Sequence, residues 1–382
     1  MKKATSQQTK YHNRDLVLRT IFTHDPISRA EVSRTTHLTK TTVSDIVSVL
    51  LDQGLIAEIG KGESLGGKNP TMLSLMPDSR CTIGLNLSQN KFMGAIVNLR
   101  GEIKQKIEVT IHDENGENAL TSVYKILDEL MRACTKNLVG IGVGAPGLID
   151  SSRGIVVNAV NLDWHNLELG KLLTQRYNKP VSVLNDSQAT AIGEFVYNPK
   201  NKLEENYIVV NVNQGIGAGI LINGKLFRGD TGWAGEIGHV VIAEDGEICR
   251  CGKRGCLETI ASTRAVIRHL NASSIDEVIT AYNQHDERTR QVVNHAAHYL
   301  GISLANMIGM LNIHKLVLTG EMVRFGEDWL EAVKSSMQAA ALTSMIKDTT
   351  IEIGKFGFDA CILGAAAFLL LDDYSLLHIK DN

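Results

Sequence analysis

One histidine and three cysteines share a single short run of this chain, GEIGHVVIAEDGEICRCGKRGCLE, at the spacing His-x9-Cys-x-Cys-x4-Cys. Imidazole and thiolate are the ligands that tetrahedral Zn2+ prefers, and four protein ligands leave no open position. His239, Cys249, Cys251 and Cys256 therefore predict a structural rather than a catalytic zinc ion. Gly252 and Gly255 let the backbone fold tightly between the thiolates. Free buried thiols or a disulfide are the alternatives, and so many cysteines beside a histidine in a glycine-rich turn disfavour both. Cys81, Cys134 and Cys361 stand singly among apolar or small residues and read as core positions.

Such a loop needs a body to hold it. From about residue 79 strands alternate with helices. Residues 82–87 and 91–98 read as a hairpin pair, 99–102 as the next turn, and 138–144 as a buried strand. Residues 207–213, the glycine loop QGIGAG, and 220–222 with the turn Asn223-Gly224 repeat the design. Two similar lobes facing a cleft follow, with a last helix around 362–371 returning to the first lobe. Ligands of such α/β bodies sit between the lobes.

The first residues carry a different pattern. Val17, Leu18, Ile21 and Phe22 share one side of a helix over 13–24, which stops before His24-Asp25-Pro26. Ser28-Arg29-Ala30-Glu31 has the form of a capping box that opens a second helix. After the turn Thr36-His37-Leu38, residues 39–54 place Val43, Ile46, Val47, Leu50 and Leu51 at helical spacing and close at Gly54. The opposite face offers Lys40, Thr41, Thr42, Ser44, Asp45 and Ser48, short polar groups suited to phosphates and base edges in a major groove. Strands over 55–59 and 71–75 flank GKGESLGGKNP, whose Lys61 and Lys68 supply charge to a nucleic-acid backbone. The whole reads as a winged helix-turn-helix. A three-helix protein-interaction module is the alternative, and His37 stands where glycine is common in this turn.

Composition is consistent with both parts. A chain of 382 residues exceeds what one core normally serves. The net charge is −3, yet residues 1–70 carry ten Lys/Arg against seven Asp/Glu while the rest carries 29 against 35. A basic head on an acidic body permits DNA binding. MKKATSQQTKYHNRD has no apolar h-region and no apolar run is long enough to span a bilayer, so a cytoplasmic location without membrane contact is expected.

Together with the zinc spacing, the segments VGIGVGAPGLID (139–150), NAVNLDW (158–164) and LNDSQATAIGE (184–194) resemble the ROK family of sugar kinases and sugar-responsive repressors. The resemblance spans the chain, because ROK repressors carry a winged helix-turn-helix with a wing similar to GESLGGKNP. It implies an α/β fold: an N-terminal winged helix-turn-helix (1–78), then a two-lobed actin-like (RNase H-like) body. Lobe 1 is 79–190 with helix 362–382 returning to it, and lobe 2 is 191–361 with the zinc loop. It also implies that Asn161, Asn185, Asp186, Glu236, His239 and Glu258 hold sugar hydroxyls, a task that calls for convergent carboxylates and amides. The zinc would then clamp the loop that carries three of them.

In ROK kinases the residue matching Asp186 is the general base, so its presence permits kinase activity without establishing it. The nucleotide half departs from the kinase pattern. Where a D-x-G-G-T type loop is usual, this chain has Asn86-Leu87-Ser88-Gln89-Asn90. Gln214 precedes Gly215, Gly217 and Gly219 where a small hydroxyl residue is usual, and Thr319-Gly320-Glu321 replaces a Gly-Gly pair. The expectation is a repressor, not an enzyme, that has kept the sugar and lost ATP. Its partners are a pseudo-palindromic operator DNA and a monosaccharide such as glucose, xylose or N-acetylglucosamine, bound by a homodimer or homotetramer. An ATP-dependent glucokinase-like enzyme with an appended DNA-binding head is the alternative, and a protein ligand for the body is a third.

Overall fold

The structure, a computed structural model, describes residues 6–63, 69–88, 91–111, 116–134, 137–198 and 206–374. Lys68, Gln89, Asn90 and positions 375–382 of the expected returning helix lie outside the described residues.

Three helices open the chain: α1 (Ser6–Thr23), α2 (Arg29–Thr36) and α3 (Lys40–Asp52). They pack with β1 (Ile27–Ser28), β2 (Ile56–Lys61) and β3 (Thr71–Leu75), an antiparallel sheet in the order β1-β3-β2. The capping box forms as expected, with the Ser28 hydroxyl accepting from Glu31 N at 3.3 Å and Ser28 N donating to the Glu31 carboxylate at 3.0 Å. His37 adopts the left-handed conformation at φ 58°, so this histidine does what glycine usually does in the turn. Val17, Leu18, Ile21, Val32, Val43, Val47 and Leu50 are fully buried, each worth roughly 1.5–3 kcal/mol of apolar transfer. Two features escaped the sequence reading. The first helix begins well before residue 13, where the polar residues show no apolar period, and β1 is too short to display alternation.

The body follows as β4 (Cys81–Ser88), β5 (Lys91–Asn98), β6 (Ile103–Thr110), α4 (Gly116–Ala133), β7 (Leu138–Ala145), β8 (Leu148–Asp150), β9 (Ile155–Ala159), β10 (Trp164–Leu167), α5 (Leu169–Tyr177), β11 (Val181–Asn185) and α6 (Asp186–Tyr197). Five of these strands make a mixed sheet in the order β11-β7-β4-β5-β6, and β10-β9-β8 is a small antiparallel sheet beside it. A second mixed sheet, β14-β13-β12-β15-β16, comes from β12 (Tyr207–Val212), β13 (Ile216–Ile222), β14 (Lys225–Leu226), β15 (Lys315–Thr319) and β16 (Thr350–Ile353). Its helices are α7 (Glu258–Ala261), α8 (Thr263–Leu270), α9 (Ile275–Asn283), α10 (Glu287–Leu311), α11 (Glu327–Ala340) and α12 (Thr343–Ile346), and α13 (Asp359–Tyr374) ends the described chain. Both large sheets pair an antiparallel hairpin with a parallel strand, β4/β5 with β7 and β12/β13 with β15, which is the internal similarity expected.

Two helices join the sheets. A Cβ on Gly84 or Gly142 would lie 2.2 Å from the Ile362 carbonyl or 2.0 Å from that of Ala365, so α13 rests directly on β4 and β7. This is the helix expected to return to the first lobe. Helix α6 packs against α13 and against β13, where a Cβ on Gly217 would meet Ser187 Oγ at 2.5 Å and one on Gly219 the Ala191 Cβ at 2.3 Å. The run QGIGAG is therefore largely strand rather than loop, since residues from Ile216 onward belong to β13. These glycines are required by close packing, which a sequence pattern cannot tell from phosphate binding.

The head meets the body at the turn after β5. Arg100 Nη1 donates to the Phe22 carbonyl at 2.8 Å, its Nη2 pairs with Asp25, and the guanidinium lies 4.7 Å from the centre of the Phe22 ring. Next to it, a Cβ on Gly101 would collide with the Tyr197 ring at 2.6 Å. Tyr197 is the last residue of α6.

Candidate ligand-binding and metal-binding site

The four metal-ligand candidates converge. Their ligand atoms all lie within 4.8 Å of one another, with Cys249 Sγ 3.6 Å from His239 Nδ1 and Cys251 Sγ 3.6 Å from Cys256 Sγ. A tetrahedral ion with Zn–S bonds of about 2.3 Å places its sulfurs about 3.8 Å apart, so the donor set fits one zinc ion. Burial first, and then the neighbouring cysteines, push the Cys256 thiol up to about 12. A bound metal reverses that preference by taking the thiolate. Cys81 and Cys134, which look solitary in the sequence, bring their sulfurs to 2.9 Å across the start of β4 and the end of α4.

His239 faces two ways. Its Nδ1 points at the cysteines while Nε2 lies 4.0 Å from Glu236 Oε2. One ring can thus serve the metal and, through its second nitrogen, orient the acidic pocket beside it. Asp186, Glu236 and Glu258 form an acidic cluster there, close enough for their charges to act on one another. Burial, followed by the charges of Asp186 and Glu258, raises the Glu236 pKa to about 7, and burial raises that of Asp186 to about 6 despite hydrogen bonds from Ser187. Glu258 Oε2 accepts from Ile216 N at 3.3 Å, so the start of β13 sets its direction. Three carboxylates held close at this cost form an acceptor cluster suited to a ligand rich in hydroxyl donors.

The two asparagines behave differently from one another. Asn185 is the N-cap of α6: its Oδ1 accepts from Ser187 N at 2.9 Å and Gln188 N at 3.2 Å, and Nδ2 donates to the Gly147 carbonyl at 3.0 Å. One amide hydrogen remains for a ligand, and positioning Asp186 is its larger task. Asn161 Oδ1 accepts from Nη1 of Arg250, which reaches over from between Cys249 and Cys251. No sequence signal singled out Arg250. Glu194, which closes the LNDSQATAIGE segment but drew no role from it, is fully buried in α6, and its carboxylate accepts from Lys355 N and Phe356 N, both at 2.9 Å, and so ties the segment before α13 to α6.

Two of the residues that depart from the kinase pattern make hydrogen bonds within the fold. Asn86 is buried, donates from Nδ2 to the Phe358 carbonyl at 3.3 Å and accepts from the Ser88 hydroxyl at 2.8 Å. Glu321 N donates to Asn213 Oδ1 at 2.7 Å, and burial raises the Glu321 pKa. In the head, Lys40, Thr41, Ser44 and Asp45 are exposed along α3 and Lys61 is exposed at the end of β2. Thr42 is half-buried and engaged in the cap, its amide and hydroxyl both meeting Thr39 Oγ1. Among the described residues no helix is long and apolar enough to cross a membrane.

The ROK family pattern matches residues 82–371. A putative xylose repressor of Caldicellulosiruptor sp. (strain Rt8B.4) is 31% identical over 95% of this chain and 96% of its own length. A glucokinase of Halalkalibacterium halodurans is 32% identical, but over 75% of this chain and 93% of its own. Among solved structures, a ROK family transcriptional regulator described as a homologue of the Escherichia coli MLC protein superposes with a TM-score of 0.82, at 25% identity, over 96% of this chain and 98% of that one.

Proposed function

Since the chain belongs to the ROK family and has its α/β fold with mixed sheets, we propose that it is a sugar-responsive transcriptional repressor. Residues 1–78 form a winged helix-turn-helix, and the body, lobe 1 at 79–190 with the returning helix and lobe 2 at 191–361, binds a monosaccharide. The observations that carry this reading are the acidic cluster of Asp186, Glu236 and Glu258, suited to hydroxyl donors, and an Asn86 amide that is hydrogen-bonded to the Phe358 carbonyl and the Ser88 hydroxyl where kinases of the family have a carboxylate. Repressor relatives aligned along nearly the whole chain, head included, agree with it.

In this reading Asp186, Glu236 and Glu258 accept sugar hydroxyls, and Asn161, Asn185 and His239 complete the hydrogen bonding. Zinc on His239, Cys249, Cys251 and Cys256 supplies a fixed tetrahedral anchor and no chemistry. Those four side chains hold Glu236 and Glu258 at the two ends of the loop. In the head, Lys40, Thr41, Thr42, Ser44 and Asp45 meet base edges and phosphates while Lys61 and Lys68 meet the backbone. Two heads of a homodimer or homotetramer read two half-sites about one helical turn apart, or a multiple of it.

Sugar and DNA communicate through α6. That helix starts at Asp186 in the pocket and ends at Tyr197 against Gly101, beside the Arg100 contact to Phe22 and Asp25. A sugar-induced shift of α6 therefore reaches the seat of the head. The alternative, an ATP-dependent ROK sugar kinase with an appended head, is tested by ATP consumption over a panel of monosaccharides. Turnover of about 1–100 per second, the ordinary kinase range, would replace the repressor reading by the kinase one.

A further inference from the structure

Cys81 and Cys134 belong neither to the metal loop nor to the acidic cluster, yet their sulfurs lie 2.9 Å apart. Heavy atoms that merely pack settle about 3.5–4.0 Å apart, and a disulfide closes at about 2.05 Å. The pair stands between the two, and a movement of about 0.9 Å would join it. The backbone imposes this approach. Cys81 opens β4 and is buried, with its N donating to the Asn137 carbonyl at 3.1 Å. Cys134 follows the last residue of α4 and is half-buried, with its N donating to the Leu130 carbonyl at 2.9 Å. Each main chain is thus fixed by bonds in which the sulfurs take no part.

The position gives a covalent link between them a consequence. Residues 76–80 join the head to the body, and Cys81 is the next residue. Met76 N donates to the Leu55 carbonyl at 2.8 Å, Leu99 N to the Pro77 carbonyl at 3.1 Å, and Arg80 Nη2 to the Gln53 carbonyl, just past α3, at 3.1 Å. A bond from Cys81 to the end of α4 anchors the body side of this joint. It also closes a chain separation of 53 residues, which restricts the unfolded chain.

We propose that Cys81 and Cys134 form a redox modification site, a dithiol that hydrogen peroxide or an organic hydroperoxide converts to an intramolecular disulfide and that a small dithiol restores. Cys134, the more accessible of the two, attacks the peroxide. Its sulfur gains one oxygen as a sulfenic acid, the O–O bond breaks, and water or an alcohol leaves. The Cys81 sulfur then attacks the sulfenic sulfur. The S–S bond forms, the S–O bond breaks, and the hydroxyl departs with the Cys81 proton as water. Two electrons pass from the pair of sulfurs to the peroxide.

Zinc-loaded full-length protein is treated with one equivalent of hydrogen peroxide, its remaining thiols are alkylated, and its digest is read by mass spectrometry, as wild type, Cys134→Ser and Cys81→Ala. Zinc release is followed with a chromogenic chelator. The expected result is a linked Cys81–Cys134 peptide in most wild-type molecules, with zinc retained, which a small dithiol abolishes and both variants lack. Oxidation raises the midpoint of thermal unfolding by at least about 3 °C in the wild type alone. Cys134→Ser keeps its zinc and unfolds cooperatively, which shows that it folds. Both thiols still alkylated after peroxide, Cys134 recovered as a sulfinic acid beside an unoxidised Cys81, or a bond to another chain overturns the proposal. Zinc loss or a bond to a metal-loop cysteine ahead of the linked peptide overturns it as well. An unchanged unfolding midpoint in the linked protein overturns the anchoring role.

Discussion

Replacing Arg100 by alanine should separate the two activities without harming either. The change removes the 2.8 Å bond to the Phe22 carbonyl, the pair with Asp25, and the stacking at 4.7 Å over the Phe22 ring. A hydrogen bond from a charged group is worth about 1.5–3 kcal/mol, and a cation over an exposed ring adds about 0.5–1 kcal/mol. The Asp25 carboxylate, 15% exposed and with Oδ1 already lacking a partner, loses its counter-charge as well. Together these weaken the docking of the head by roughly 3 kcal/mol, which equals or exceeds the 1–3 kcal/mol of an ordinary allosteric coupling. The exposed face of α3 and the acidic pocket are untouched. Operator half-sites obtained by in vitro selection are used to measure DNA affinity by fluorescence anisotropy at fixed salt, with and without saturating sugar, in wild type and variant. The expected outcome is wild-type affinity for DNA alone and for sugar alone, with the sugar effect on DNA binding reduced to within about threefold from a typical 5- to 150-fold. A variant that keeps the full sugar effect would show that coupling does not pass through this contact.

Other consequences are as direct. Cys256→Ser should lower bound zinc, measured by atomic absorption, and weaken sugar binding, because the loop between Glu236 and Glu258 loses its anchor; full zinc-free stability and sugar affinity would refute this. Asp186→Asn should cost about 1.5–3 kcal/mol of sugar binding, roughly 10- to 150-fold in Kd by calorimetry, with no phosphoryl transfer to lose. With Glu236 near 7 and Asp186 near 6, sugar affinity should rise as pH increases through that range, since the ionised carboxylates are the acceptors, and Glu236→Gln should flatten the upper part of the rise. In the sugar-free protein the sign is opposite: these raised pKa values favour the folded state at low pH, a contribution lost as pH climbs from the ordinary carboxylate range toward 7, which thermal unfolding across pH 4–8 would detect.

Where a pattern is local, the sequence speaks clearly. The metal-ligand spacing, the Ser28 capping box, the α3 stripe and the β4/β5 hairpin depend on neighbours a few residues apart, and each is found where expected. What stayed hidden depends on partners far along the chain. Arg100 finds Phe22, Arg250 finds Asn161, and Glu194 finds Lys355 and Phe356, and none of these pairs has a spacing to recognise. Cys81 and Cys134 meet only because β4 and α4 are adjacent in the fold. The glycines of QGIGAG mislead for a related reason: one residue type satisfies both a phosphate loop and a strand pressed against a helix, and here α6 supplies the pressure.

The central claim is that one molecule couples a sugar pocket to a DNA-reading head, and linkage makes it testable in both directions. Operator affinity is measured with and without the cognate sugar at fixed salt, and sugar affinity with and without operator. The account predicts weaker DNA binding with sugar and an equal factor of weakening for sugar with DNA, commonly 5- to 150-fold for such couplings. Tighter DNA binding with sugar would reverse its sign, and no shift with any monosaccharide would contradict it.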